Sequence, residues 1–481
     1  MKTIKKDPGL LKKNSLLGAA FIVVLGVSGC SNNSTPAPVA DETFTPFERI
    51  ATLDVVTDAA GAVDYVATYA KTQAVADVIH DYFIATDETT FTHDDGTNYP
   101  ANWIIAGQDS PAFLGGITQI PSTDLIDPAV AASPANTYKV KVMDICNSYY
   151  AAKALGKTDI VTGQKVADGF IHAPALPCEV SVYNDGVNIY VDMLNPDAIF
   201  TLFFSDTVFG AQMDDAAFAT EISQLPGTVK TELKTIIYAA LDEAVVADAS
   251  FAYTALAEKI GPEYTQDEIL TVVDESPYDS PYIHFSYMKP DASEFTAAEV
   301  KGVASAIIQT MSIHGLTTTD GRINGEHVPA LESLLSPDSS WRSARSFPLG
   351  LPGVGVDDAA VAYNNFIIEA CSPLYAKQAM GTGRHHAGAL PCEISVTAIE
   401  STPGSTNYDT LVISFLEPGF MFTALFKDSF ATMTEAELLT YSALPPAVLQ
   451  DLQNIVDHSV ANDLAVTVTY SGRLTYDMMP N

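Results

Sequence analysis

Side chains that can bind metals or act as nucleophiles recur at matching positions in the two halves of the chain. Each half holds a cysteine, a tyrosine four residues later, a histidine, and a second cysteine followed directly by a glutamate. The histidines, glutamates and tyrosines form the candidate ligand or metal site. The full set is Cys146, Tyr150, His172, Cys178 and Glu179 in the first half, and Cys371, Tyr375, His386, Cys392 and Glu393 in the second.

The histidines and cysteines of this set could ligate a metal ion or a haem iron, because imidazole and thiolate are ligands for both. Each glutamate could orient the nearby histidine or act as a general base. The same residues are explained without a ligand by a histidine bonded within its own turn, a glutamate on an exposed strand position and a tyrosine in the core. We favour this structural interpretation and therefore predict no cofactor.

The four internal cysteines predict two disulfides, Cys146–Cys178 and Cys371–Cys392, one within each half. In each pair the first cysteine ends a predicted strand and the second begins a later one. If these strands are antiparallel neighbours, the cysteine Cα atoms can lie ~5.5 Å apart, as a disulfide requires. Two alternatives stay open: the cysteines are reactive or metal-ligating thiols, or they pair across the two halves.

An internal repeat contains the second cysteine of each half. The eleven-residue segments that begin at His172 and His386 are identical at nine positions. Each segment leads from an apolar turn into the alternating pattern of a strand. A match of this quality within one chain indicates repeated structural units.

Hydrophobic periodicity predicts the elements that would position these residues. The Asp185-Gly186 pair predicts a hairpin between strands at 178–183 and 187–193, since it accepts the positive φ angles of a tight turn. Further strands are predicted over residues 44–57, 62–68, 137–145, 282–288, 365–370, 410–415 and 465–470, and helices over 72–83, 148–155, 251–260, 294–311 and from Leu225-Pro226 onward.

The first 29 residues predict a lipoprotein signal peptide. Five lysines precede an apolar run from Leu16 to Val27, and a Ser-Gly pair then precedes Cys30. This pattern is typical of a bacterial lipobox, in which the cysteine carries acyl chains such as palmitate. Residues 30–43 predict a flexible tether. Ser31 favours sorting to the outer membrane, while an ordinary secretory signal is the alternative.

The formal net charge of −35 limits the possible partners. Nucleic acid is excluded, because its phosphates require lysine and arginine. An anionic membrane surface is disfavoured for the same reason, so contact with the membrane is expected only through lipid on Cys30. Solubility in a salty medium explains the charge, and a cationic partner or divalent ions are the alternative.

The repeated unit resembles the bacterial family named Domain of Unknown Function 302. The resemblance implies an α+β fold in which each half is one curved antiparallel sheet with helices on one face. The order β-α-β4-α is similar to half of the TATA-binding-protein fold. The family has no assigned activity, so it implies no chemistry. The residues that carry the resemblance are Cys146-Asn147-Ser148, Tyr150-Ala151, Leu176-Pro177-Cys178-Glu179 and Leu194-Asn195-Pro196, with their counterparts Cys371-Ser372-Pro373, Tyr375-Ala376, Leu390-Pro391-Cys392-Glu393 and Leu416-Glu417-Pro418.

We therefore predict two tandem repeat domains that pack on each other as a pseudo-dimer. The first covers residues 44–247, with a loop-rich insertion near 86–134. Residues 248–280 are a connector that packs, and the second domain covers 281–481.

Two classes of function remain open for this sequence. The sequence contains no phosphate-binding glycine loop, Cys-x-x-Cys motif, His-Glu-x-x-His motif or nucleophile elbow. We favour a non-catalytic cell-envelope lipoprotein that binds a small molecule or an envelope protein. The alternative is a periplasmic redox or sulfur-handling protein that uses the cysteine pairs, with the nearby histidines as metal or haem ligands.

Overall fold

A computed structural model gives the fold of the chain. It describes residues 43–85, 103–105, 117–122, 138–147, 150–151, 154, 173–176, 178–204, 216–265, 268, 281–289, 291–314, 341–343, 347–348, 365–390, 392–400, 407–463 and 467–473. The predicted signal peptide, Cys30 and His172 lie outside the described residues. So does most of the predicted insertion near 86–134 and of the predicted helix over 148–155.

The strands of the first half form one antiparallel sheet. They are β1 (Thr43–Phe44), β2 (Phe47–Asp54), β3 (Trp103–Ile105), β4 (Thr118–Ser122), β5 (Tyr138–Asn147), β6 (Cys178–Asn184), β7 (Asn188–Leu194), β8 (Tyr253–Ile260) and β9 (Tyr264–Thr265). The sheet has the order β3-β5-β6-β7-β2-β8, with β4 also paired to β5, while β1 and β9 pair with each other. All of these neighbours are antiparallel.

The strands of the second half form another antiparallel sheet. They are β10 (Tyr282–Met288), β11 (Phe295–Thr296), β12 (Arg342–Ser343), β13 (Phe347–Pro348), β14 (Asn365–Cys371), β15 (Cys392–Glu400), β16 (Asn407–Leu416) and β17 (Thr467–Arg473). The order is β12-β14-β15-β16-β10-β17, with β13 paired to β14 and β11 to β16. The α+β class with antiparallel sheets and helices is therefore confirmed.

Helices pack on these sheets and on one another. The first helix packs on β6 and on the long third helix, and the fourth packs on the ninth. Among the described residues, no helix has the length and apolar character needed to cross a membrane. The helices are α1 (Tyr65–Ile84), α2 (Pro196–Phe203), α3 (Ala216–Ala247), α4 (Ala297–His314), α5 (Pro373–Met380), α6 (Pro418–Leu425), α7 (Lys427–Phe430), α8 (Glu435–Ser442) and α9 (Leu444–Asp463), with 3₁₀ segments at Ala249–Phe251 and Arg384–Ala389.

Elements of the second half lie directly against the first sheet. The 3₁₀ segment Arg384–Ala389 contacts β5, β6 and β7, and α5 contacts β4. Phe47 of β2 packs its ring edge-on against His385, with the ring centroids 5.4 Å apart. Residues Glu42–Asn481 accordingly form one compact unit.

Local sequence signals account for several element boundaries. The hairpin between β6 and β7 is confirmed, and Gly186 in its turn has a φ of +83°, which favours glycine. The Asp64 side chain caps α1 by accepting the amide of Ala67. Asn195 caps α2, in which Pro196 occupies the first turn. The strands predicted at 282–288 and 365–370 correspond to β10 and β14.

Two predicted elements are wrong, and a third begins earlier than predicted. The strand predicted over 62–68 is the start of α1, because Asp64 is an N-cap. The helix predicted over 251–260 is instead β8, an edge strand on β2, and its mostly exposed residues give little periodicity. The helix predicted to open at Leu225-Pro226 begins at Ala216 and carries Pro226 in its interior.

Candidate functional site

Strand register places acidic residues directly opposite each other in both sheets. Asp144 of β5 lies opposite Glu179 of β6, and Glu369 of β14 lies opposite Glu393 of β15. All four side chains are buried. Like charges directly opposite each other destabilise a sheet, so this arrangement requires compensation.

These acidic pairs meet between the two sheets. Asp144, Glu179 and Glu393 each contribute a carboxylate oxygen, and the three atoms lie within 4.8 Å of one another. Glu369 interacts electrostatically with both Asp144 and Glu179. We call Asp144, Glu179, Glu369 and Glu393 the inter-sheet carboxylate cluster, because each sheet supplies two of its members.

Most oxygen atoms of the cluster lack a compensating donor. Among the described residues, the Asp144 carboxyl has only the Glu369 carboxyl within hydrogen-bonding reach, and no hydrogen-bond partner reaches either oxygen of Glu393 or the Oε2 atom of Glu179. The Ser181 hydroxyl, two residues along β6 from Glu179, is also buried without a partner. A buried polar atom without a partner is expensive, and a buried charge is more so.

Burial is the largest influence on the ionisation of the cluster. It raises the pKa of Asp144, Glu179 and Glu393 well above their ordinary values, and neighbouring carboxylates raise each further. Shared protons or a bound cation could each neutralise this much buried acid. Bound protons would let the carboxyl groups hydrogen-bond to one another, whereas a cation would coordinate the oxygens of Asp144, Glu393 and Glu179 Oε2 directly.

The distances in the cluster fit a divalent cation that prefers oxygen ligands. Calcium takes carboxylate oxygens at about 2.3–2.6 Å, so ligands on opposite sides of one ion lie about 4.6–5.2 Å apart. The three oxygens lie within 4.8 Å of one another and can therefore all reach one ion. Oxygen-only ligand sets favour calcium, manganese or magnesium over softer metals.

The cysteines do not join this cluster, and all four are free thiols. The predicted disulfides Cys146–Cys178 and Cys371–Cys392 are therefore not formed in the structure. Cys178 lies opposite Ile145, and Cys392 lies opposite Ala370, so each pair is one position out of register. The two thiols of each pair are nevertheless neighbours, because in addition to burial Cys146 raises the pKa of Cys178 and Cys371 raises that of Cys392.

Each cysteine pair instead lines a small apolar cavity with one tryptophan and one tyrosine. The cavities measure about 20 Å³ and about 30 Å³, which is room for about one water molecule. Burial raises the pKa of the Cys146 thiol to about 12 and raises those of Cys178 and Cys392 as well. The lining residues include Trp103, Cys146, Tyr150 and Cys178 in the first cavity, and Trp341, Cys371, Tyr375 and Cys392 in the second.

The candidate tyrosines are core residues whose hydroxyls meet a helix carboxylate. The Tyr150 hydroxyl and Trp103 Nε1 both donate to Glu232 of α3, the latter over 3.2 Å. Tyr375 donates to Asp451 of α9 over 3.0 Å. Both tyrosines therefore lie with the thiols and apart from Glu179 and Glu393.

The ligating atoms of His386 group with those of His385 and Asp428, separately from the group that Asp144, Glu179 and Glu393 form. His386 is fully buried in the 3₁₀ segment Arg384–Ala389, beside His385 and Asp428. The candidate grouping of His386 with Cys392 and Glu393 is not among the groups of ligating atoms that the described residues form. The corresponding grouping in the first half depends on His172, which lies outside the described residues.

The favoured interpretation of Glu179 and Glu393 as exposed strand positions is also wrong. These side chains are only 5% and 2% exposed, and the first sheet is contacted both by α1 and by the 3₁₀ segment Arg384–Ala389 of the second half. Sequence reasoning missed Asp144 and Glu369 altogether. Each lies two residues before the first cysteine of its half, and this shared offset is the signal that could have found them.

No family model, curated protein or solved structure matches this chain. The resemblance to Domain of Unknown Function 302 therefore stays a prediction.

Proposed function

We propose that this chain is a non-catalytic cell-envelope module that binds one divalent cation, of the calcium or manganese type, between its two halves. One observation carries the proposal: buried carboxylates from both sheets converge with oxygens that lack donors among the described residues. A cation at this point would neutralise the acid and link the sheets. The carboxylates of Asp144, Glu179 and Glu393 would bind the ion, and Glu369 would lie beside them.

The proposal includes an origin by tandem duplication and a pseudo-dimeric assembly. The orders β3-β5-β6-β7-β2-β8 and β12-β14-β15-β16-β10-β17 list their strands in the same relative chain sequence, which a duplication would produce. The repeated His172 and His386 segments support the same origin. A TATA-binding-protein-like arrangement and the resemblance to Domain of Unknown Function 302 belong to this proposal.

Anchoring by lipid on Cys30 is a further part of the proposal. The lysine-rich head, the apolar run and the Ser-Gly-Cys30 sequence support it, with the outer membrane as the expected location. Replacement C30S should release the protein from the membrane fraction of the cells that make it. Unchanged retention of the variant in that fraction would contradict lipid anchoring.

The redox or sulfur-handling alternative has weaker support. Reactive cysteines have a lowered pKa, whereas burial raises the pKa of Cys146, Cys178 and Cys392, although Cys146 alone is fully buried and the other internal cysteines are half-buried. The cavities that these thiols line have room for about one water molecule. We therefore assign the thiols to the core of each half.

Cation binding can be tested on the mature protein after treatment with a chelator. Titration calorimetry with CaCl₂ and with MnCl₂ should show one site per chain. The double variant E179Q/E393Q should lose that site while it keeps the volume of both side chains. The exposed Glu263 offers the matched control E263Q, which should bind like the unsubstituted protein.

Two results would contradict the proposal. In the first, neither cation binds the unsubstituted protein, so that protons alone neutralise the cluster. In the second, E179Q/E393Q binds as tightly as E263Q, so that the cation occupies another site. Circular dichroism of each variant checks that it is folded.

A further inference from the structure

A second group of ligating side chains lies at the junction of the two halves. His385 and His386 belong to the 3₁₀ segment Arg384–Ala389, and Asp428 lies in the first turn of α7. The Nε2 atom of His385 is 3.6 Å from Asp428 Oδ2, and the Nε2 atom of His386 is 3.8 Å from Asp428 Oδ1. We call these three residues the dihistidine cluster.

Hydrogen bonding fixes the proton of the buried histidine on its other nitrogen. Thr382 Oγ1 lies 2.6 Å from Nδ1 of His386 and donates its only proton to the carbonyl of Ala379 over 2.5 Å. The threonine oxygen must therefore accept from His386, which places the ring proton on Nδ1. A hydrogen bond of this kind is the usual device that orients a metal-ligating histidine.

The opposite nitrogen of His386 then faces a carboxylate with no proton between them. Nε2 is fully buried and has no hydrogen-bond partner among the described residues, and the same is true of Asp428 Oδ1 and His385 Nε2. Two lone pairs that face each other at 3.8 Å repel unless a proton or a metal ion lies between them. The buried Nε2 atom without a partner therefore points to a bound ligand, and this evidence does not depend on the presence of an acidic residue.

The distances suit a transition metal with nitrogen and oxygen ligands. Zinc binds imidazole nitrogen at about 2.0–2.1 Å and carboxylate oxygen at about 2.0–2.2 Å, so tetrahedral ligands lie about 3.4 Å apart. The separations of 3.6 Å and 3.8 Å are within a few tenths of an ångström of that value.

The surroundings hold the rings in place and leave one side open. Phe426 stacks on His386 with ring centroids 4.0 Å apart, and Phe47 packs edge-on against His385. The side chains of His385 and Asp428 are 18% and 32% exposed, so a fourth ligand can arrive from solvent. Three protein ligands with an accessible fourth position is the pattern of an exchangeable zinc site.

We propose that His385, His386 and Asp428 bind one zinc-type ion with an exchangeable fourth ligand, separately from the inter-sheet carboxylate cluster. The first copy of the repeat has Ile171 where the second has His385. The duplicated chain therefore carries this ligand set in its second half only.

The test uses the chelator-treated mature protein with ZnCl₂ in calorimetry, and with CoCl₂ as a visible-absorption probe. The partly exposed ligands are changed in H385Q and D428N, and the matched control is H458Q on α9. We expect one zinc site, a cobalt spectrum of low coordination number, and at least about tenfold weaker binding in H385Q and D428N, since even outer-sphere changes cost 10–100-fold.

The outcomes separate this site from the proposed function. E179Q/E393Q should keep the zinc site, and D428N should keep the calcium or manganese site. The proposal is overturned if zinc does not bind, if H385Q and D428N bind it like H458Q, or if the zinc site disappears in E179Q/E393Q instead. H386Q, whose residue is fully buried, enters the comparison only if its circular dichroism matches that of the unsubstituted protein.

Discussion

The two sheets differ in the residues that face each other between β2 and β7 in the first sheet and between β10 and β16 in the second. In the first sheet, Arg49 of β2 lies opposite Asp192 of β7 and binds it with Nε–Oδ1 at 3.0 Å. In the second sheet, the corresponding pair of opposed residues is His284 of β10 and Ser414 of β16. Burial lowers the pKa of His284 to about 4, so this pair is uncharged at neutral pH.

Other structural features are common to the two halves. Both keep an opposed acidic pair, and both keep a tryptophan and a tyrosine that donate to one helix carboxylate. The shared acidic pairs form the inter-sheet carboxylate cluster, which needs both halves, whereas each tryptophan–tyrosine–carboxylate group lies within one half. The ion pair and the three residues of the dihistidine cluster each come from one half, although His385 packs against Phe47 of the other half.

The largest expected effect comes from breaking the ion pair of the first sheet. R49M leaves Asp192, which is 1% exposed, as a buried charge whose remaining hydrogen-bond donor among the described residues is Tyr183, with His385 as a neighbouring charge partner. Loss of one member of a buried pair costs about 3–5 kcal/mol, so we expect the free energy of unfolding to fall by about that amount. Chemical denaturation of the mature protein measures the change.

The double variant R49H/D192S is the matched control, because it gives the first sheet the pair found in the second. It removes both charges together and should lose much less stability than R49M. Equal losses in the two variants would show that the ion pair is not what distinguishes the halves.

A smaller effect is expected from the two tryptophans, which are the only ones in the chain. Trp341 is 1% exposed and donates to buried Asp451 over 2.9 Å, whereas Trp103 donates to part-buried Glu232 over 3.2 Å. Removing a donor from a more deeply buried acceptor costs more, within about 1–3 kcal/mol. W341F should therefore destabilise the protein more than W103F.

Fluorescence of these single-tryptophan variants also reports each half separately. If the denaturation curves of W103F and W341F coincide once each is corrected for its own stability, the two halves unfold as one cooperative unit. A greater loss in W103F than in W341F would contradict the difference in burial.

The smallest expected effect is a pH dependence confined to the first half. Burial opposes ionisation of Glu48, but hydrogen bonds from Lys230 and Lys234 outweigh it and hold the pKa of Glu48 below its ordinary value. The position that corresponds to Glu48 in β10 is Ile283. A carboxyl group with a lowered pKa in the folded state stabilises the protein above the unfolded pKa of about 4.3. This stabilisation is lost as the pH falls through the folded pKa.

We therefore expect E48Q to lose about 1 kcal/mol at pH 7 and to show a shallower decline in stability between pH 5 and pH 3. Unfolding free energies across that range measure both effects. An identical acid decline in E48Q and the unsubstituted protein would place the acid sensitivity in other carboxylates.

The sequence predicted what depends on neighbours along the chain. The hairpin at Asp185-Gly186 and strands such as β10 follow from turn chemistry and alternation, which are local. The burial of Glu179 was not predictable in this way, because it depends on elements of the second half that cover the first sheet. The contact of Arg49 with Asp192 likewise joins residues 143 positions apart.

The cysteines also show what local sequence patterns can and cannot predict. Strand assignment correctly placed Cys146 near the end of β5 and Cys178 at the start of β6. The disulfide prediction placed the two cysteines at the same edge of neighbouring antiparallel strands, and β5 and β6 are such neighbours. The register puts Ile145, not Cys146, opposite Cys178, and no local pattern fixes register to one residue.

The most direct test of a cation between the sheets is anomalous diffraction from crystals of the mature protein grown with MnCl₂. We predict a manganese peak within about 2.5 Å of carboxylate oxygens of Asp144, Glu179 and Glu393. A map in which these carboxyl groups bond only to one another, with no manganese peak among them, would contradict the proposed function.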